Sequence, residues 1–199
     1  VPPHRLRALG VGQLAPAGVR VREGRLVATM HWSIGTTVLE RTEDVPRGAA
    51  AREALVRALL DGQVMSSAVR GARDEVEAYS LRASLAGEPG LDFEVWLRAR
   101  VDQLGFESGE ELALLTTSDL APGLLGFDER RSIDRDFPRA LTIGARRFTV
   151  RYELPRRRVT VRASQPGTPR PRPDFLPRWP GWSVDYDDGK HTVPLRERR

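Results

Sequence analysis

The residues that come closest to forming a catalytic centre are carboxylates near the end of the chain. Asp185, Asp187 and Asp188 lie close together in sequence, and Lys190 follows them. Closely spaced carboxylates can hold Mg²⁺ for phosphodiester cleavage, which would make the chain a divergent metal-dependent nuclease. A hairpin turn rich in Asp and Gly explains the same residues without any chemistry. We therefore predict a turn here and no catalytic residue, and a nuclease ranks third among the functions considered.

Other patterns that carry chemistry are missing from the sequence. It contains no G-x-x-x-x-G-K-[ST] phosphate-binding loop, and Gly10 and Gly12 lack the third glycine of a dinucleotide-binding turn. His4, His31 and His191 are far apart and form no pair of metal ligands, and the chain has no cysteine. The sequence therefore predicts no metal and no cofactor.

Positive charge is concentrated in the last third of the chain. Arginine supplies 31 of the 32 basic residues; residues 1–138 carry 17 basic and 21 acidic side chains, whereas residues 139–199 carry 15 and 6. Such an excess predicts a polyanionic partner. No apolar stretch is long enough to cross a bilayer and no secretory signal is apparent, so we expect a cytoplasmic protein with no membrane partner.

The candidate binding residues combine guanidinium groups with two indole rings. Guanidinium groups pair with phosphates, and flat rings can stack on bases, so together they predict a surface for single-stranded nucleic acid. The candidates are Arg146, Arg147, Arg151, Arg156, Arg157, Arg158, Arg162, Arg170, Arg172, Arg178, Trp179 and Trp182.

Residues 1–138 are predicted to form a mixed β/helical, mildly acidic domain. Short β-rich stretches over 19–41 predict two or three strands. Apolar spacing of three and four predicts helices over 48–61, 64–85 and 92–104, of which the last is capped by Asp92. Ser108 and Glu111 fit the capping box of a further short helix, and 128–136 predicts a last helical turn or two before Pro138.

After Pro138 the apolar period changes from 3.6 to 2, which predicts hairpin-linked strands in a strongly basic domain over 139–199. Arg156, Arg157 and Arg158 are expected at or beside one hairpin tip, and a Pro/Arg linker is expected at about 165–173. The predicted fold is therefore α+β, with an N-terminal β segment and helices followed by a small antiparallel basic β domain.

Several segments taken in order resemble the C-terminal region of bacterial DEAH-box helicases of the HrpA/HrpB type. They are FEVWLRARVDQL (93–104), the leucine-rich stretch 112–125, DERRSIDRDFPRALTIG (128–144) and FTVRYEL (148–154), and the resemblance covers roughly residues 22–165. It implies an accessory region that packs beside two RecA-like domains and guides an RNA strand. The implied partners are RNA or single-stranded nucleic acid and the helicase core domains of the same polypeptide.

The helicase motifs themselves are absent, so we expect no ATP hydrolysis by this chain, and a first residue of Val rather than Met indicates a piece of a longer protein. The predicted function is a non-catalytic accessory region that binds nucleic acid, with RNA favoured. The alternative is a protein-interaction module, in which the acidic helical part and the aromatic tail dock on a partner and the arginines only maintain solubility.

Overall fold

The computed structural model describes residue 5, residues 9–165 and residues 167–197, so His4 lies outside the described residues. It contains both helices and sheets, which confirms the α+β class. The chain divides into two compact units. Unit 1 comprises Val1–Val76 and Leu91–Pro122, and unit 2 comprises Glu77–Gly90 and Gly123–Arg199.

Unit 1 contains a three-stranded antiparallel sheet, which agrees with the two or three strands predicted over 19–41 but extends beyond that stretch at both ends. Its strands are β1 (Gln13–Arg22), β2 (Arg25–Ile34) and β3 (Thr37–Asp44), in that order across the sheet. Glu23 and Gly24 join β1 to β2 and both have positive φ, as a two-residue hairpin turn of matching twist requires.

The three predicted long helices are present. They are α1 (Ala49–Leu60), α2 (Ser66–Leu85) and α3 (Phe93–Gln103), and α1 packs against β1, β2 and α3. Asp92 caps α3, because its Oδ1 accepts a hydrogen bond from the Val95 amide at 3.0 Å. An ion pair links α1 to α3: Arg98 donates to Glu53 at 2.5 Å, and this bond is the main reason why the pKa of Glu53 is lowered.

The short helix predicted after Ser108 differs from the expected capping box. It is a 3₁₀ helix, Gly109–Leu114, and the Ser108 hydroxyl accepts from the amide of Glu110 at 3.3 Å. The Glu111 carboxylate accepts from the Glu107 amide rather than from that of Ser108. A second 3₁₀ helix, Thr117–Leu120, follows.

Unit 2 is built on a five-stranded sheet. The strands are β4 (Ala140–Ile143), β5 (Arg146–Glu153), β6 (Arg158–Ala163), β7 (Ser183–Asp187) and β8 (Thr192–Arg196), and they follow one another in order across the sheet. The pair β6–β7 is parallel, so the sheet is mixed. The prediction of a wholly antiparallel domain is therefore corrected at this one pairing.

The parallel pair explains the proline-rich stretch that was predicted to be a linker. A parallel neighbour requires a crossover that returns the chain to the starting end of the sheet, and the residues between β6 and β7 supply it. The crossover is attached to the sheet, since the Tyr186 hydroxyl donates to the Thr168 carbonyl at 2.8 Å and Pro171 is buried. It contains a 3₁₀ helix, Pro173–Phe175.

The core of unit 2 corrects the predicted domain boundary at residue 138. Ala78 and Leu81 of α2, and Ile133 of α4 (Phe127–Asp136), belong to the same apolar cluster as Phe148 and Val161 of the sheet. A sheet with one apolar face needs a cover, and these helical residues contribute to it. Unit 2 therefore includes 77–90 and 123–138 as well as the predicted 139–199.

Within the described residues, no helix is both long and apolar enough to span a bilayer.

Candidate nucleic-acid interface

The five-stranded sheet of unit 2 has one buried face and one exposed face. On β5, Phe148 and Val150 are buried, whereas Arg147, Thr149 and Arg151 are exposed. This alternation follows from the two-residue period of a strand. The neighbouring strand β6 repeats it, with Val159 and Val161 buried and Arg158, Thr160 and Arg162 on the other side.

The strand register brings three arginines together around one threonine. Thr149 lies opposite Arg162, and Arg147 and Arg151 lie two positions to either side of Thr149 on the same face of β5. The Thr149 hydroxyl donates to the Arg162 carbonyl at 3.4 Å. We call Arg147, Thr149, Arg151 and Arg162 the arginine face.

The arginines on this side of the sheet differ in their partners. Within the described part of the chain, Arg147 and Arg151 form no ion pair. In contrast, Arg162 Nε lies 3.7 Å from Asp187 Oδ2, and Arg158 Nε lies 3.3 Å from Asp185 Oδ2. The two aspartates on β7 thus offset charge on β6, while the two guanidinium groups on β5 are available to an external anion.

Arg156, Arg157 and Arg158 lie at or beside the β5–β6 hairpin tip, as predicted. Leu154–Arg156 form a 3₁₀ turn, and Arg157 has a left-handed backbone with φ of 45°. Arg156 lies 3.7 Å from Glu153 within the turn, whereas Arg158 already belongs to β6 and faces Asp185. Arg156 and Arg158 therefore each have a carboxylate within 4 Å, on different sides of the turn in sequence.

The remaining candidate arginines lie elsewhere in unit 2. Arg146 is exposed at the start of β5. Arg170 is tied to the edge strand β8, because its Nη2 donates to the Pro194 carbonyl at 2.9 Å. Arg172 and Arg178 are exposed on either side of the 3₁₀ helix in the crossover.

Trp179 and Trp182 are core residues, so the prediction that either ring stacks on a base is wrong. Their exposed fractions are 2% and 3%. Both rings lie edge-on to Tyr152, and their centroids are 6.0 and 5.9 Å from that of the Tyr152 ring. Burial among these rings raises the pKa of the Tyr152 hydroxyl. The crossover must cover an apolar sheet face, and its large aromatic side chains serve that purpose.

The aspartates near the C-terminus form the predicted hairpin turn. Asp187 Oδ1 accepts from the Gly189 amide at 2.7 Å, and Asp188 Oδ1 accepts from the amides of Lys190 and His191, both at 2.7 Å. The hydrogen bonds that the backbone amides of His191 and Lys190 donate to Asp188 lower the pKa of its carboxyl group. Asp185 and Asp187 also face arginines, and the described residues contain no group of three or more side chains that could hold a metal ion.

Phe175 is not among the binding residues predicted from the sequence. Its side chain is 62% exposed, although it lies in the same aromatic segment as the buried Trp179 and Trp182. Composition alone cannot distinguish these rings, because the turn geometry of the crossover decides which of them faces the sheet. The proline at the start of the 3₁₀ helix was the available signal for a turn.

Comparison with known proteins gives no match: no family model, no curated protein and no solved structure is similar to this chain at a significant level. The resemblance to the C-terminal region of DEAH-box helicases therefore stays a prediction.

Proposed function

We propose that this chain is a non-catalytic accessory region, of the kind found in DEAH-box-type helicases, that binds single-stranded RNA through the arginine face of unit 2. The observation that carries the proposal is the pair Arg147 and Arg151, two exposed guanidinium groups on one strand that have no carboxylate partner among the residues described by the structure. A cytoplasmic location agrees with such a role, and the helicase core domains would be the protein partner.

The mechanism follows from the chemistry of the face. A guanidinium fork pairs with phosphate oxygens in two parallel hydrogen bonds, and each phosphate that is neutralised releases counterions. Thr149 places a hydroxyl between the two arginines; its proton is donated to the Arg162 carbonyl, and its oxygen can accept a hydrogen bond from a ribose 2′-hydroxyl. The strand fixes the separation of Arg147 and Arg151 at about 13 Å along β5, four residues apart. The contacts are to the backbone of the ligand, so the binding is independent of base sequence.

The direct test is the affinity of the full chain for labelled single-stranded RNA, measured by fluorescence anisotropy over a salt series. We compare the wild type with the double variant Arg147→Ala, Arg151→Ala. For single strands the slope of log affinity against log salt concentration changes by about 0.7 for each phosphate contact. The double variant should bind more weakly and should lose about 1.4 from the slope.

A matched control removes the same charge from the same unit. Arg130 and Arg135 lie on α4 and each pairs with a carboxylate at 2.8 Å, Asp134 and Asp136 respectively. The variant Arg130→Ala, Arg135→Ala should keep the wild-type slope. Equal loss in both variants would reduce the effect to net charge, and absence of wild-type binding at low salt would reject the proposed function. That absence would leave the protein-interaction module as the better account, whereas RNA binding that survives high salt would contradict the phosphate contacts proposed for the arginine face.

A further inference from the structure

An exposed phenylalanine lies in the crossover of unit 2, at the end of the 3₁₀ helix Pro173–Phe175. Its side chain is 62% exposed, whereas the next residue, Leu176, is 5% exposed. A single exposed apolar side chain is ordinary in proteins, so exposure alone indicates nothing. What distinguishes Phe175 is how its backbone is held and which charges flank it.

The backbone on both sides of Phe175 is fixed by one arginine from β8. Arg196 Nη2 donates to the Pro173 carbonyl at 2.9 Å, and Arg196 Nη1 donates to the Pro177 carbonyl at 3.3 Å. Within the turn, the Phe175 amide donates to the Arg172 carbonyl at 3.1 Å. The ring is thus presented outward from a fixed support, which lowers the entropy cost of using it in binding.

The charges next to this ring are mainly positive. Arg172 and Arg178 are exposed, three residues before and after Phe175, and neither has an ion pair within the described part of the chain. Asp174 is the one acidic residue of this stretch. An exposed aromatic residue flanked in sequence by two exposed arginines supplies the two elements that bind unpaired nucleotides, a surface for the base and cations for the flanking phosphates.

We propose that Phe175 is a stacking platform for an unpaired base of the bound RNA strand, with Arg172 and Arg178 contacting the phosphates on either side. This inference rests on the proposed function, because it needs a strand already attracted to unit 2. The crossover covers the apolar side of the sheet and the arginine face is on the other side, so the same strand reaches Phe175 by passing around an edge of the sheet. Trp179 and Trp182, for which stacking was predicted, are buried, whereas Phe175 in the same segment is exposed to solvent.

The test compares Phe175→Ala with the wild type on two probes, a single-stranded RNA of about 12 nucleotides, within the range of known site sizes, and an oligomer of the same length without bases. Loss of one stacking contact should weaken binding to the RNA roughly 5- to 100-fold. Binding to the abasic oligomer should not change, and the salt slope should stay the same on both probes because no phosphate contact is removed. Phe175→Tyr should restore the affinity.

Phe127→Ala is the matched control. Phe127 is 80% exposed in the same unit, at the start of α4, and Asp128 and Glu129 follow it. The Phe127→Ala variant should bind both probes with the affinity of the wild type. Wild-type RNA binding that is unchanged in Phe175→Ala, or weakened equally on both probes, would overturn this inference and leave the proposed function intact. Absence of wild-type binding would overturn both.

Discussion

The role of each arginine in unit 2 depends on what faces it. Arg158 and Arg162 are opposed by Asp185 and Asp187, and Arg196 is used inside the unit to hold two carbonyls. Among the described residues, Arg147 and Arg151 have no such partner. The number of arginines therefore does not by itself indicate which of them are available to an external anion, whereas the absence of a carboxylate partner does.

The buried tryptophans lead to a prediction that separates stability from binding. Trp182→Ala should lower the free energy of unfolding by about 3–5 kcal/mol, because it removes a large ring from a packed core. Denaturant unfolding measures this loss.

The milder variant Trp182→Phe should fold and should bind single-stranded RNA with the wild-type affinity. A selective loss of RNA binding in Trp182→Phe, with stability preserved, would show that the indole contacts the ligand and would contradict its place in the core.

At the scale of elements, β7 limits the positive charge of the neighbouring strand β6. Its two aspartates face Arg158 and Arg162, and the Asp185 side chain is 14% exposed. An ion pair with such partial exposure contributes about 1 kcal/mol or less, which is still enough to compete with a phosphate for the same guanidinium.

We therefore predict that the double variant Asp185→Asn, Asp187→Asn binds single-stranded RNA more tightly than the wild type, by about fivefold. Asparagine has nearly the same shape as aspartate. At position 187 it keeps a side-chain oxygen that can accept the hydrogen bond from the Gly189 amide. Fluorescence anisotropy measures the affinity, and circular dichroism checks the fold. Unchanged or weaker binding by a folded variant would contradict this role of β7. A Mg²⁺-dependent cleavage activity lost in the variant would favour the nuclease.

The sequence predicted elements better than it predicted their assembly. Alternation along 147–151 and 158–162 indicated the strands correctly, because the side-chain period of a strand is a local property. The parallel pairing of β6 with β7 was missed, since the residues between them have the composition of a linker and only tertiary packing shows that they cover a sheet. The same packing buried Trp179 and exposed Phe175, which local composition could not separate.

At the scale of the whole molecule, charge is divided between the two units. Unit 2 carries 19 basic and 12 acidic residues, whereas unit 1 carries 13 and 15. The helical segments that unit 2 contains beyond the predicted domain are slightly acidic, so its positive charge comes from 139–199. The proposed binding of a polyanion to unit 2 agrees with this division, since unit 1 has a small net negative charge.

The measurement that tests this account most directly is an NMR titration of the arginine Nε–Hε groups of the full chain with single-stranded RNA. A side-chain group that pairs with phosphate changes its chemical shift, so the titration reports each arginine separately. We predict that Arg147 and Arg151 shift at the lowest RNA concentrations, while Arg130 and Arg135 stay unchanged. Shifts confined to other arginines, with Arg147 and Arg151 unaffected at saturation, would contradict the arginine face as the site of binding.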